Sequence, residues 1–137
     1  MSELFLEALM QLFALLTDVK QEGEKGEARK KVSEFLSRNL NRDFTDSSLL
    51  RYDFFLNKYH KNTFSDSPTE REHQSRYNLK TLQYICDQLN KEMEVADKYL
   101  LVGLMLNFIQ KKNITKEEDL FVDLLAIHLK IDQDDYQ

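Results

Sequence analysis

Apolar and polar positions alternate along the chain in two similar blocks. Residues 4–19 are apolar almost throughout, a polar elbow follows at residues 20–24, and an amphipathic run begins at Glu27. Residues 99–110 are again apolar, and after a second polar stretch an amphipathic run begins at Thr115. Self-similar blocks of this kind are typical of a repeated structural unit. The pattern therefore predicts a duplicated helical hairpin.

The two apolar runs are apolar around most of the helix circumference. A helix of that kind is usually central in its fold, so we expect residues 4–19 and 99–110 to be packed centrally. Between them, helical spacing predicts a second helix over residues 27–40, with Asn41 as its carboxyl-terminal cap. A third helix is predicted to start at Thr45 or Asp46. Its apolar side is predicted to carry Leu49, Leu50, Phe54, Phe55 and Tyr59.

The polar stretch 61–74 is predicted to be the longest loop. It contains the only proline, Pro68, and one large apolar residue, Phe64. We interpret it as an internal connection of one domain over residues 1–132, because neither half looks large enough to fold alone. The other predicted features are a fourth helix over about residues 75–90, a sixth helix opened by a capping box of Thr115 and Glu118, and a polar tail or linker at residues 133–137.

Composition agrees with an all-α fold of six or more helices in one compact bundle. The chain of 137 residues has only 3 Gly and 1 Pro, and β-branched runs are scarce, which favours helices over strands. The net charge of −5 argues against nucleic acid as a partner, because phosphate binding needs clustered Lys and Arg. The one basic cluster, residues 29–31, lies beside glutamates at helical spacing and indicates a solvated ion-pair face.

Cellular location is predicted from the cysteine content and the amino terminus. Cys86 is the only cysteine, so no intrachain disulfide is possible and a reducing compartment is allowed. The first residues lack the positive charge of a signal peptide. Asp18 and Lys20 end the apolar run before it reaches the roughly 20 residues needed to span a bilayer. We therefore expect a cytoplasmic protein without direct membrane insertion.

No catalytic arrangement is apparent among the usual reactive residues. Cys86 lies on an apolar helical stripe and is predicted to be a buried structural thiol. His128 follows Leu124 by four residues and is predicted to be an interior or boundary histidine. His60 and His73, with Asp66, have no recognised ligand spacing, which favours a solvated loop over a metal site. Phosphate-binding glycine motifs are also missing from the sequence.

The acidic first elbow is the one candidate binding site. Asp18, Glu22, Glu24 and Glu27 lie within ten residues at the junction of two helices. Carboxylates there can interact with the positive amino terminus of the second helix, or bind a divalent cation such as Ca²⁺ or Mg²⁺. Solvation and capping are the first interpretation. A metal site formed by Glu22, Glu24 and Glu27 is the alternative.

With its two elbows, the chain resembles the TerB-like (tellurite-resistance B) helical domain family. The first elbow, residues 20–24, places Glu22 in the acidic position, and Glu27 follows. The second, residues 111–118, has Asn113 where the family has an acidic residue and glycine. The stretch from Leu82 to Ile109 looks like the family's second half. The resemblance covers nearly the whole chain and implies an all-α fold, a metal-linked sensor role and frequent use as a module, in some cases before ABC-type ATPase regions.

These observations lead to two functional hypotheses. The first is a non-enzymatic regulatory or protein-interaction module of the bacterial cytoplasm, whose partner is another protein or a downstream domain linked to it, such as an ATPase region. The second is a metal-binding stress-response sensor that uses Glu22, Glu24 and Glu27. Neither hypothesis requires an organic cofactor.

Overall fold

A computed structural model describes residues 3–17, 19, 26–109 and 116–130, and all the regular structure within them is helical. This confirms the predicted all-α class and the number of helices. None of the helices in these ranges is both long and apolar enough to cross a bilayer. The helices are α1 (Glu3–Leu16), α2 (Glu27–Asn39), α3 (Arg42–His60), α4 (Pro68–Glu92), α5 (Val95–Ile109) and α6 (Lys116–His128).

The chain divides into two compact units, Met1–Asn78 and Leu79–Gln137, and the boundary falls within α4. In the first unit, α3 packs against both α1 and α2, and α1 packs chiefly on α3. Every α1 side chain from Ala8 to Leu16 except Gln11 is buried. The prediction that the run 4–19 is packed centrally is therefore confirmed for residues 8–16, whereas Leu4 at its start is exposed. A single domain over residues 1–132 stays a prediction.

In the second unit α5 packs against α6. Helix α5 has an exposed face: Leu101 and Met105 are buried, whereas Leu100 and Gly103 are exposed. The expectation that residues 99–110 are packed centrally therefore holds for one face of the helix and was wrong for the face that carries Leu100. The buried side chains of this unit include Leu82, Ile85, Cys86, Leu89, Val102, Val122, Leu125, Ala126 and Leu129.

Two predicted helix boundaries were wrong because the capping residues were assigned to the wrong helix or overlooked. Asn41 does not end α2 but begins α3: its Oδ1 accepts a hydrogen bond from the Phe44 backbone N–H at 3.0 Å. Helix α4 begins at Pro68, so residues 68–74 of the predicted loop 61–74 are helical. Proline suits the first helical position, where its missing N–H is not needed. The Ser67 hydroxyl accepts from the Glu70 N–H at 3.3 Å and caps this turn.

The duplication of the helical hairpin stays a prediction. Both elbows fall largely in residues 20–25 and 110–115, outside the described residues, as do Thr115 and the tail 133–137. Within the described ranges the two blocks differ in their main packing partner: α1 lies chiefly on α3, whereas α5 lies on α6.

Candidate functional site

The structure describes only one of the three glutamates in the predicted metal site. Glu22, Glu24 and the neighbouring Asp18 lie outside the described residues. Glu27 is the first residue of α2, and its side chain is exposed. Within the described ranges no three His, Cys, Asp or Glu side chains are close enough together to hold a metal ion. A cation at the acidic elbow therefore stays a prediction.

The predicted structural role of Cys86 is confirmed, because the side chain is fully buried in the second unit. Burial raises the pKa of its thiol to about 12, and the nearby carboxylate of Asp87 acts in the same direction. A thiol that stays protonated and out of contact with solvent is a poor nucleophile.

The histidines are dispersed through the described structure. His60 is half-buried at the end of α3, and its Nε2 lies 2.8 Å from the carbonyl oxygen of Ala14, in the last turn of α1. His73 is exposed on α4 and Asp66 is exposed in the preceding turn, so these three residues form no metal-binding group. His128 is half-buried at the end of α6, as expected of a boundary histidine.

The first unit contains a shallow cleft of about 370 Å³ at the carboxyl end of α3. Phe64, in the turn after α3, stands beside it with 65% of its surface exposed. Three of the side chains that line the cleft are apolar and three are polar. The lining residues are Val19, Asp53, Leu56, Asn57, His60 and Phe64.

An ion pair neutralises the carboxylate in this cleft. Arg29 of α2 donates from Nε to Oδ1 of Asp53 at 2.9 Å and from a terminal nitrogen to Oδ2 at 3.0 Å. Bidentate pairs of this kind fix the orientation of both side chains. The hydrogen bond to Asp53 also raises the pKa of Arg29, so the guanidinium keeps its charge. The charge of this carboxylate is therefore already paired and offers little to an ionic ligand.

Buried polar contacts hold the carboxyl end of α3 in place. The hydroxyl of Tyr59 donates to Oε1 of Gln11 on α1 at 2.9 Å, and burial raises the pKa of this phenol. From α4, Asn78 donates to the carbonyl of Tyr59 at 2.9 Å and Gln74 to that of Lys58 at 3.3 Å. These carbonyls belong to the last turn of α3, where the helix supplies no backbone N–H to bond them. These contacts tie the last turn of α3, which carries the cleft residue His60, to α1 and α4.

Two residues assigned to the apolar side of α3 lie on its solvent side. Leu49, Phe55 and Tyr59 are buried as expected, but Leu50 is 67% exposed and Phe54 53% exposed. This part of the predicted stripe was wrong. The Arg51 guanidinium lies 5.3 Å from the centre of the Phe54 ring, so the exposed ring is in a cation–π contact.

Most residues of the cleft were not singled out by the sequence. Phe64 gave a signal, since it is the one large apolar residue in a polar stretch, and His60 was considered only as a metal ligand. Leu56, Asn57 and Asp53 gave none, because each fits an ordinary helix surface. The pairing of Arg29 with Asp53 spans 24 residues and has no local signature.

Comparisons of the chain with models of protein families, with curated proteins and with solved structures found no match. The resemblance to the TerB-like family stays a prediction.

Proposed function

We propose that this protein is a non-enzymatic regulatory module that binds a segment of a partner protein in the cleft at the end of α3. The observation that carries the proposal is Phe64, a large aromatic side chain that lines the cleft and is 65% exposed. Exposed aromatic residues next to a pocket are typical anchors of protein interfaces.

The chemistry of the cleft favours an apolar side chain as its occupant. Val19, Leu56 and Phe64 supply apolar surface, and the carboxylate of Asp53 is compensated by Arg29. A charged ligand would lose hydration without gaining an uncompensated partner there. Asn57 offers amide groups for the backbone of a bound segment. A peptide carrying one or two large apolar residues meets both requirements.

A peptide selection tests this proposal. The wild-type chain is immobilised and random peptides are selected against it, with Phe64→Ala as the comparison. We expect selected peptides to share a large apolar residue and to bind Phe64→Ala at least about tenfold more weakly, a loss of about 1.4 kcal/mol. Phe44→Ala is the matched control, because Phe44 is exposed to 57% and does not line the cleft.

Equal binding to wild type and Phe64→Ala would contradict the proposal, as would a selection that yields no binding peptide. If peptides bound Phe44→Ala as weakly as Phe64→Ala, the cleft would not be the binding site.

A further inference from the structure

The solvent side of α3 carries a pattern of charge that is complementary to itself. Exposed positions recur there at alternating steps of four and three residues, which keeps them on one stripe of a helix. The stripe is acidic near its amino-terminal end, apolar in the middle and basic near its carboxyl-terminal end. Its members, all exposed, are Asp43, Asp46, Ser47, Leu50, Phe54, Asn57, Lys58 and Lys61; we call it the α3 stripe. Lys61 is the residue after α3 and keeps helical φ and ψ angles.

Two copies of the α3 stripe match when they run antiparallel. If residue 52 marks the centre of the pair, Leu50 faces Phe54 of the other copy, and Asp43 faces Lys61 at each end. Asp46 and Lys58 then lie at the same level along the pair. A parallel arrangement would instead place each charge beside the same charge in the other copy, which is unfavourable.

The stripe is exposed in the described structure, although its central ring, Phe54, contacts the Arg51 guanidinium named above. The opposite side of α3 is the one that packs in the core, where Tyr52, Phe55 and Tyr59 are buried. Neither Asp43 nor Asp46 forms an ion pair with a described residue. Lys58 rests above the ring of Tyr77 at 5.8 Å from its centre, and this contact leaves the ammonium accessible.

We propose that the protein forms a homodimer in which the α3 stripes of two copies pair antiparallel about a two-fold axis. A two-fold interface requires a self-complementary surface, and the acidic–apolar–basic order supplies one. From Asp43 to Lys61 the stripe is about 27 Å long at 1.5 Å per residue. A single helix pair buries area at the low end of specific interfaces, so the dimer is reversible and its population rises with concentration.

Analytical ultracentrifugation of the full chain between about 1 µM and 1 mM tests the dimer. We expect a species of twice the 16.3 kDa chain mass to accumulate with concentration. Phe54→Glu places two carboxylates in the apolar centre and should weaken association at least about tenfold. Phe44→Glu is the control on the same helix, since Phe44 is similarly exposed but lies off the stripe. Circular dichroism checks that each variant keeps its helices.

Charge reversal tests the antiparallel register. One variant carries Asp43→Lys and Asp46→Lys, and the other carries Lys58→Asp and Lys61→Asp. Each should fail to self-associate, because its stripe then has one sign of charge, while an equimolar mixture of the two should form a heterodimer.

A chain that stays monomeric at the highest concentration would overturn the proposal, as would a dimer insensitive to Phe54→Glu. Homodimers of either charge-reversed variant as stable as wild type would overturn the register. Asn57 belongs to both the stripe and the cleft. The peptide test uses Phe64, which lies off the stripe, and the dimer test uses Phe54, which does not line the cleft, so failure of one proposal is distinguishable from failure of the other.

Discussion

Raising the pH should destabilise the protein through Cys86. The thiol is buried, and its pKa is raised from the ordinary value of 9.0 to about 12. Below pH 9 the folded and unfolded chains both keep the thiol proton. Above pH 9 the unfolded chain loses it while the folded chain retains it until about pH 12. The unfolded state then binds fewer protons, so the free energy of unfolding falls as pH rises through this window.

The magnitude follows from the size of the pKa shift. For each pH unit within this window, one such group lowers the free energy of unfolding by about 1.4 kcal/mol. Tyr59 acts in the same direction at higher pH, because burial raises the pKa of its phenol as well. The contribution of Cys86 is therefore obtained as a difference between wild type and Cys86→Ala. The substitution leaves a small cavity whose cost does not depend on pH.

Urea unfolding of both proteins between pH 8 and 11 measures this difference. We expect the free energy of unfolding of wild type to fall more steeply, with the two curves separating above about pH 9. Thiol labelling gives a second test at pH 8, where a pKa of about 12 lowers the thiolate fraction about a thousandfold relative to a pKa of 9.0. Parallel pH curves, or labelling of the folded chain as fast as in denaturant, would refute the reasoning.

Three further predictions follow from single positions. Gly103→Ala should stabilise α5 by about 0.5–1 kcal/mol in urea unfolding, because a Cβ there meets no atom within 4 Å and alanine is the better helix former; a loss of stability would show that this face is covered. Asn41→Ala should cost about 1 kcal/mol, since the Phe44 N–H loses its cap, whereas an unchanged unfolding midpoint would argue against the cap. If the acidic elbow binds a divalent cation, calorimetric titration with Ca²⁺, Mg²⁺, Mn²⁺ and Zn²⁺ should give heat that Glu22→Gln/Glu24→Gln/Glu27→Gln abolishes; no heat with any ion would remove the sensor hypothesis.

The sequence pattern predicted the helical class because long apolar runs at helical spacing, with few Gly and Pro, leave little alternative. The pattern could not predict which face of α3 is buried. Leu49 and Leu50 are adjacent, as are Phe54 and Phe55, and neighbouring residues point about 100° apart on a helix. Only one of each pair fits the core, and which one does so depends on how α3 packs against α1 and α2; Leu49 and Phe55 are the buried members.

The amino-terminal part of α4 was missed for a different reason. Residues 68–74 are almost entirely exposed, so they carry no apolar periodicity to recognise. Gln74 is the exception, and it is buried because its amide donates to a carbonyl at the end of α3. The carbonyls at the end of a helix lack backbone partners, and a side chain from another helix can bond them. Such a contact leaves no periodic pattern in the sequence around the donating residue.

Both proposed surfaces depend on how firmly α3 is held against rotation about its own axis. Its inner side is fixed by buried aromatic rings, and on its flanks Asp53 binds Arg29 of α2 while Arg51 binds Glu7 of α1. Each pair is largely exposed and contributes little to stability alone, but the two restrain the helix from different neighbours. A helix restrained in this way presents its outer stripe in one orientation and loses little conformational entropy when it pairs. In the proposed dimer we therefore expect the two ion pairs to favour association by fixing the orientation of the stripe.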